Sequence, residues 1–259
     1  MTFKEINPSP RMLMAPGPVE ADPRVLRAMS AHIIGQFDPE FTQLMNETME
    51  MAREVFQTKN HQTYVVDTTS RGGLETVLTA AICPGDKVLI PAFGRFGYLL
   101  AEILERCGAD ITLLERDWGT VFEPEEIEEA LKKDHYKAVA CVHGETSTSM
   151  MQPLEEIGEL CERYGALLIV DTVATLGGAP VKVDEWKLSA CIAGTQKCIS
   201  APSGSALITY NEQISSIARA RKRVEKGIRT ADDVDGTLPR IPSNYLDLAQ
   251  LEDYWSPRR

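Results

Sequence analysis

Apolar residues follow two alternating rhythms along the chain. Short apolar runs of the length expected for buried strands fall at 64–67, 87–91, 111–114, 138–142, 167–170, 190–192 and 205–210. Several of them are separated by stretches in which apolar positions recur near helical spacing with charges opposite, at 74–82, 96–107, 124–133 and 153–164. Two more helix-like stretches, 23–31 and 39–56, come before the first strand and after an irregular opening with Pro16-Gly17-Pro18. The alternation predicts an α/β fold, and crossovers of this length favour a mostly parallel sheet. No internal repeat interrupts it. Beyond Tyr210 the pattern changes: 211–229 reads as a charged helix and 230–243 as a polar loop, so the sheet-based part is expected to end there.

Composition narrows the picture further. A chain of 259 residues can bury a sizeable core, typically roughly 70–75% of its unfolded surface. With 43% hydrophobic and 25% charged residues and no low-complexity stretch, one large folded domain is expected rather than disorder. Lys and Arg number 27 against 38 Asp and Glu, a formal charge of −11, which argues against nucleic acid as a partner. No window approaches the roughly 20 apolar residues of a membrane helix, and residues 1–10 lack the pattern of a secretory signal, so a cytoplasmic protein is expected. The six cysteines form no CxxC pair and mostly sit in apolar runs, which predicts reduced, buried thiols. The four histidines show no ligand spacing, so no metal is expected.

Three strand-end segments carry candidate chemistry. Thr68-Thr69-Ser70-Arg71-Gly72-Gly73 lies between a strand and a helix, where free amides, hydroxyls and a guanidinium suit a phosphate monoester. Taken alone it is equally a turn capped by Thr or Ser. Asp171 directly follows the buried run 167–170, at the strand end where α/β proteins assemble their sites; on its own such an Asp is often a helix cap or metal ligand. Lys197, in Gly194-Thr195-Gln196-Lys197, follows the run 190–192, although most lysines are merely solvated.

Together, in this order, cradle, acid and lysine match what pyridoxal 5′-phosphate needs. The lysine anchors the cofactor as a Schiff base and moves a proton, the carboxylate pairs with the pyridine nitrogen, and the cradle holds the phosphate. A flat ring is also expected against the cofactor. Phe96 offers one at the start of a helix, and it is equally a helix residue packed in the core.

The chain resembles the large domain of the class V, fold-type I aminotransferases, the alanine– or serine–glyoxylate aminotransferase group. The resemblance spans essentially all residues and rests on Met14-Ala15-Pro16-Gly17-Pro18, 70–75, His143-Gly144-Glu145-Thr146-Ser147-Thr148, 170–178 and Gly194-Thr195-Gln196-Lys197. It implies a seven-stranded, mostly parallel sheet between helices, with residues 1–20 as an N-terminal arm and 21–259 as the cofactor-binding large domain. It further implies that Lys197 is the Schiff-base lysine, Asp171 the pyridine partner and Gln196 a phosphate contact. Thr69, Ser70 and Arg71 become the phosphate loop, Phe96 the stacking ring, Thr146 a hydroxyl beside the phenolic oxygen, and Val173 the residue packed below the ring. Family members often carry His at the Arg71 position and Trp at the Phe96 position.

Within the group, 34–41, 244–248 and 251–255 are most similar to the bacterial (S)-ureidoglycine–glyoxylate aminotransferases of purine catabolism. The resemblance therefore implies transfer of an amino group to glyoxylate by a homodimer, with alanine or serine as alternative donors. Gln36 is singled out as a substrate contact, because a primary amide both donates to and accepts from a ureido group; the alternative is a polar loop residue near a subunit interface. The family continues into a smaller C-terminal domain carrying the arginine that binds the substrate carboxylate, and Arg258 and Arg259 are wrongly placed for that task. The expectation is a truncated chain whose cofactor half is complete and whose substrate half is not, so that the activity of this chain alone is severely reduced; the alternative is a cofactor-binding remnant without full activity.

Overall fold

The central strands are apolar on both faces, so they can be buried only where helices cover the sheet on each side. In the computed structural model, which describes residues 4–256, α1 (Pro23–Met29) and α2 (Pro39–Phe56) precede β1 (Gln62–Val66), α3 (Ser70–Ala81), β2 (Lys87–Ala92), α4 (Arg95–Arg106) and β3 (Asp110–Glu115). Next come α5 (Pro124–Leu131), β4 (Ala138–Val142), the small hairpin β5 (Gly144–Glu145) and β6 (Met150–Met151), and α6 (Glu155–Tyr164). The chain continues through β7 (Leu167–Asp171), β8 (Ala190–Gly194), β9 (Ala206–Tyr210), α7 (Glu212–Arg221) and α8 (Leu248–Tyr254). Arg258 and Arg259 lie outside the described residues.

The local chemistry explains the helix boundaries. Asp22 and Asp38 each accept an amide N–H of the helix they precede, and Pro23 and Pro39 open those helices with φ already set. Glu123 and Glu126 form a reciprocal capping box on α5, and α6 stops at Gly165, where φ of 70° favours glycine.

The sheet has seven strands in the order β1-β9-β8-β7-β4-β2-β3. Neighbours from β8 to β3 are parallel, whereas β9 runs antiparallel to both β8 and β1. The mostly parallel sheet expected from the sequence is present, and β4, β7, β8 and β9 are buried along their full length. Parallel pairing aligns the C-terminal ends of β2, β4, β7 and β8 along one edge, placing Asp171 and the loop carrying Lys197 side by side.

One expectation needs correction. The charged helix read over 211–229 stops at Arg221, where Lys222 turns extended with φ −58° and ψ 139°. The backbone finds partners sideways instead: Gly236 N donates to Lys222 O, Leu238 N to Ala220 O, and the Arg223 guanidinium to Leu238 O. The sheet ends at Tyr210 as read, but the packed structure does not, because α8 returns with Leu248 and Ala249 buried and Glu252 accepting a bond from Tyr210.

Candidate active site

The lysine loop is held by its own backbone. Thr195 Oγ1 donates to Pro202 O at 2.6 Å, Ser200 N donates to Lys197 O at 2.8 Å, and Val19 N ties the N-terminal segment to Gln196 O at 3.0 Å. Lys197 is only 9% exposed. Its Nζ donates to Thr146 Oγ1 at 2.5 Å and lies 5.5 Å from the centre of the Phe96 ring. Burial lowers the basicity of this amine, and the negative charges of Asp171 and Glu145 oppose the effect. A desolvated lysine of this kind offers more free amine at neutral pH, as a nucleophile or proton carrier needs.

Asp171 closes β7 and is almost wholly buried. Its Oδ1 accepts the Val173 N–H at 2.9 Å, and among the described residues no hydrogen bond reaches Oδ2. Burial pushes its carboxyl up to about 6, against the lowering effects of the Val173 amide and the Lys197 charge. A buried carboxylate with a free oxygen in a cleft suits a cationic N–H group of a ligand.

The elevated value has a measurable cost. An unfolded Asp titrates near about 3.9, so holding Asp171 ionised in the fold costs up to about 3 kcal/mol above pH 6. Asp171→Asn keeps an oxygen for the Val173 amide and removes the charge. In ligand-free protein it is expected to unfold at higher denaturant at pH 8, with the gain fading as pH falls through 6 towards 4. The sign follows because the folded state binds the extra proton in that window, so the wild type recovers stability on acidification. Burial pushes His143 down to about 4, but both proteins carry it and it cancels in the difference. Equal midpoints at pH 8 reject the buried charge.

At the start of α3 the capping position is Thr69, which makes no side-chain capping bond, and first-turn amides have no partner within a helix. Gln196 Nε2 donates to Ser70 Oγ at 3.1 Å, whereas among the described residues the buried Gln196 Oε1 has no partner. A Cβ at Gly194 would lie 2.5 Å from that oxygen and 2.7 Å from Ser70 Cβ, so glycine alone allows strand, amide and helix to meet. The result is a polar pocket floor at a positive helix end.

One cleft of about 170 Å³ is lined by Ser70, Arg71, Phe96, Thr146, Asp171, Val173, Gln196 and Lys197. The structure thus brings together eight of the residues picked out from the sequence. Thr69 is adjacent as the helix cap but is not on the wall, and Gln36 stands on an exposed turn away from it. Leu74, Leu99, Gly144 and Ala174 also line the cleft. Sequence reasoning missed them, although Leu74 sits one helical turn after Ser70 and Arg71. The expectation of buried thiols holds for Cys141, Cys161 and Cys191, while Cys83 and Cys107 are half-buried and Cys198, next to Lys197, is exposed.

Comparison with known proteins agrees with this geometry. The Aminotransferase class-V family matches residues 24–232. The (S)-ureidoglycine–glyoxylate transaminase of Bacillus subtilis (strain 168) is 61% identical over 252 residues, covering 96% of this chain and 60% of that protein. The alanine–glyoxylate aminotransferase of Oryctolagus cuniculus is 39% identical over 82% of this chain and 54% of its own length. Among solved structures, ureidoglycine–glyoxylate aminotransferase from Bacillus subtilis superposes with a TM-score of 0.91 at 57% identity, covering 99% of this chain and 62% of that one. The chain therefore spans about 60% of the length of the Bacillus relative. With the lysine, acid and helix-end cradle gathered at the C-terminal edge of a mostly parallel sheet, this chain belongs to the class-V aminotransferases.

Proposed function

We propose that the cleft is the cofactor site of an aminotransferase that passes an amino group to glyoxylate, with (S)-ureidoglycine as the donor. The observation that carries the reading is the convergence of a desolvated lysine, a buried acid and a helix N-terminus on one cleft. Pyridoxal 5′-phosphate is the cofactor of the family, and the residues present fit it. The free first-turn amides of α3 suit an anionic phosphate, and so does the Gln196 amide once flipped, its NH₂ standing in place of the partnerless oxygen and its oxygen accepting from the Ser70 hydroxyl. The uncovered oxygen of Asp171 suits a protonated ring nitrogen.

When bound, the cofactor supplies an electron-withdrawing ring that accepts the negative charge left as a proton leaves the donor's carbon. Lys197 Nζ, oriented by its bond to Thr146 Oγ1, would hold the cofactor and, once released, would carry that proton. Asp171 would keep the ring nitrogen protonated, and Ser70, Arg71 and Gln196 would hold the phosphate, with Thr69 setting the start of the helix. Phe96 and Val173, both on the cleft wall, would pack against the ring and keep water from it. Gln36, exposed on its own chain, is available to a substrate through a second copy.

In the same reading the protein is a cytoplasmic homodimer of purine catabolism. Apolar side chains exposed along the first two helices and the turn between them, Met29, Ile33, Phe37 and Met51, support the pairing, and six free thiols support a reducing compartment. Among the described residues no helix is long and apolar enough to cross a membrane.

The test adds the cofactor to the purified chain and follows visible absorbance, then compares (S)-ureidoglycine and alanine as donors by the rate at which that absorbance changes. A lysine-bound band that reacts faster with ureidoglycine is the expected result. A faster reaction with alanine overturns the donor assignment, and no band at all overturns the reading.

A further inference from the structure

Glu145 does not line the cleft, yet its carboxylate is 1% exposed and wholly committed. Oε2 accepts the Phe96 N–H at 2.8 Å. Oε1 accepts the Ser147 N–H at 3.0 Å and the Ser147 hydroxyl at 2.6 Å. Having given its proton to Glu145, Ser147 Oγ accepts the Arg95 N–H at 3.0 Å. Both oxygens of Glu145 therefore face donors, and the first two amides of α4 are satisfied from a hairpin far along the chain.

α4 has no cap of its own, since Gly94 at the capping position has no side chain to offer. A Cβ at Gly94 would lie 2.3 Å from Glu145 Cγ, so this close approach depends on glycine. Helix stability alone would not require a buried group: Asp22 and Asp38 cap α1 and α2 from exposed positions. What distinguishes α4 is its second residue, Phe96, whose ring stands 5.5 Å from Lys197 Nζ.

We infer that Glu145 is a positioning residue which, by fixing the Arg95 and Phe96 amides, sets the Phe96 ring against the cofactor. The inference rests on the proposed cofactor site. A carboxylate is favoured over an amide here because an amide NH₂ would meet an N–H or O–H donor on one side, and because negative charge is stabilised at a helix N-terminus. The charge also reaches the pocket groups, where it raises the pKa of both Asp171 and Lys197.

The test uses the 259-residue chain as wild type, Glu145→Gln, Phe96→Leu and the double variant, each loaded with pyridoxal 5′-phosphate. Readouts are the rate of cofactor loss into a scavenger, visible circular dichroism, and hydrogen exchange at the Phe96 amide without cofactor. Glu145→Gln is expected to speed cofactor loss about five- to tenfold, the usual scale of a lost cap, to weaken the dichroism and to speed Phe96 exchange. In the Phe96→Leu background the same change is expected to add nothing to cofactor loss, because Glu145 acts through that ring.

Faster Phe96 exchange with unchanged cofactor loss and dichroism would make Glu145 a plain helix cap and overturn the inference. An equal additional loss in the double variant overturns it as well. Should Glu145→Gln fail to fold, Ser147→Ala removes the hydroxyl that bridges Glu145 to the Arg95 amide while leaving the Glu145 bond to the Phe96 amide, and is expected to act in the same direction more weakly, with no change there counting against the inference. A wild-type chain that takes up no cofactor rejects the proposed function and this inference together, whereas uptake by the wild type with cofactor loss and dichroism unaffected by Glu145→Gln rejects the inference alone.

Discussion

Lys197→Ala is expected to abolish the visible band of lysine-bound cofactor completely while leaving the protein folded. Among the described residues Nζ has one hydrogen-bond partner, Thr146 Oγ1, and the amine is already destabilised as a cation by burial, so the fold loses little when it goes. Denaturation midpoints without cofactor should therefore stay close to wild type, since relief from burying the lysine cation is offset by the loss of its attraction to Asp171. The cradle and Asp171 remain, so cofactor should still bind non-covalently and dialyse away faster. Donor-dependent change of the bound cofactor should slow by at least about 10²–10⁴-fold, the usual contribution of a positioned proton carrier. Borohydride reduction of the wild-type complex followed by peptide mapping should place the modification on Lys197. A surviving lysine-bound band in the variant, or a label on another lysine, would reject Lys197 as the anchor.

Much of this site was legible because strand ends in α/β chains can be recognised without the fold. Asp171 and Lys197 each follow a short apolar run, and those runs are β7 and β8, buried along their full length. What stayed hidden depends on contacts between distant segments. A buried strand such as β9 reads the same in either direction; its antiparallel course follows from the helix-free connection before it, since a parallel return needs a crossover of about a dozen or more residues. The β5–β6 hairpin is too short to show alternation, and with it the task of Glu145 was invisible. Gln36 illustrates the opposite limit. Its amide chemistry suits the substrate class, and a polar loop position is the alternative reading; the exposed turn lies outside its own chain's cleft, a placement that depends on the fold.

The pocket electrostatics form one connected set. Burial pushes the Asp171 carboxyl and the Lys197 amine towards their neutral forms, and their mutual attraction pulls both back towards charge. Glu145 adds a second negative charge that favours the lysine cation and disfavours the Asp171 anion. A ligand bringing a cationic ring nitrogen to Asp171 and an anionic phosphate to α3 would relieve the costs that the protein carries alone. Cofactor binding is therefore expected to raise stability, by mass action, in proportion to the logarithm of cofactor concentration.

Arg221 should be a major stability determinant far from the chemistry. An arginine within a charged stretch reads as solvent-facing, yet this one is 1% exposed. Its NH1 donates to the carbonyls of Thr79, Ala80 and Ile82 at 2.6, 3.0 and 2.8 Å, and its Nε donates to Pro239 O at 2.8 Å. The three NH1 bonds serve the C-terminal end of α3, where carbonyls lack helical partners and a cation is favoured by the helix dipole. The fourth fastens the loop that returns towards α8. Arg221→Met keeps much of the volume and strands these acceptors in an apolar setting, so a loss of about 3–5 kcal/mol is expected, comparable to breaking a buried ion pair. Arg221→Lys, with one compact ammonium for four dispersed acceptors, should recover only part of it. The cradle lies at the other end of α3, about 18 Å away at 1.5 Å per residue. Cofactor absorbance per folded molecule should therefore be unchanged while the denaturant midpoint, measured without cofactor, falls steeply. A midpoint shift worth less than about 1 kcal/mol would show that water replaces the guanidinium and that the end of α3 does not depend on it.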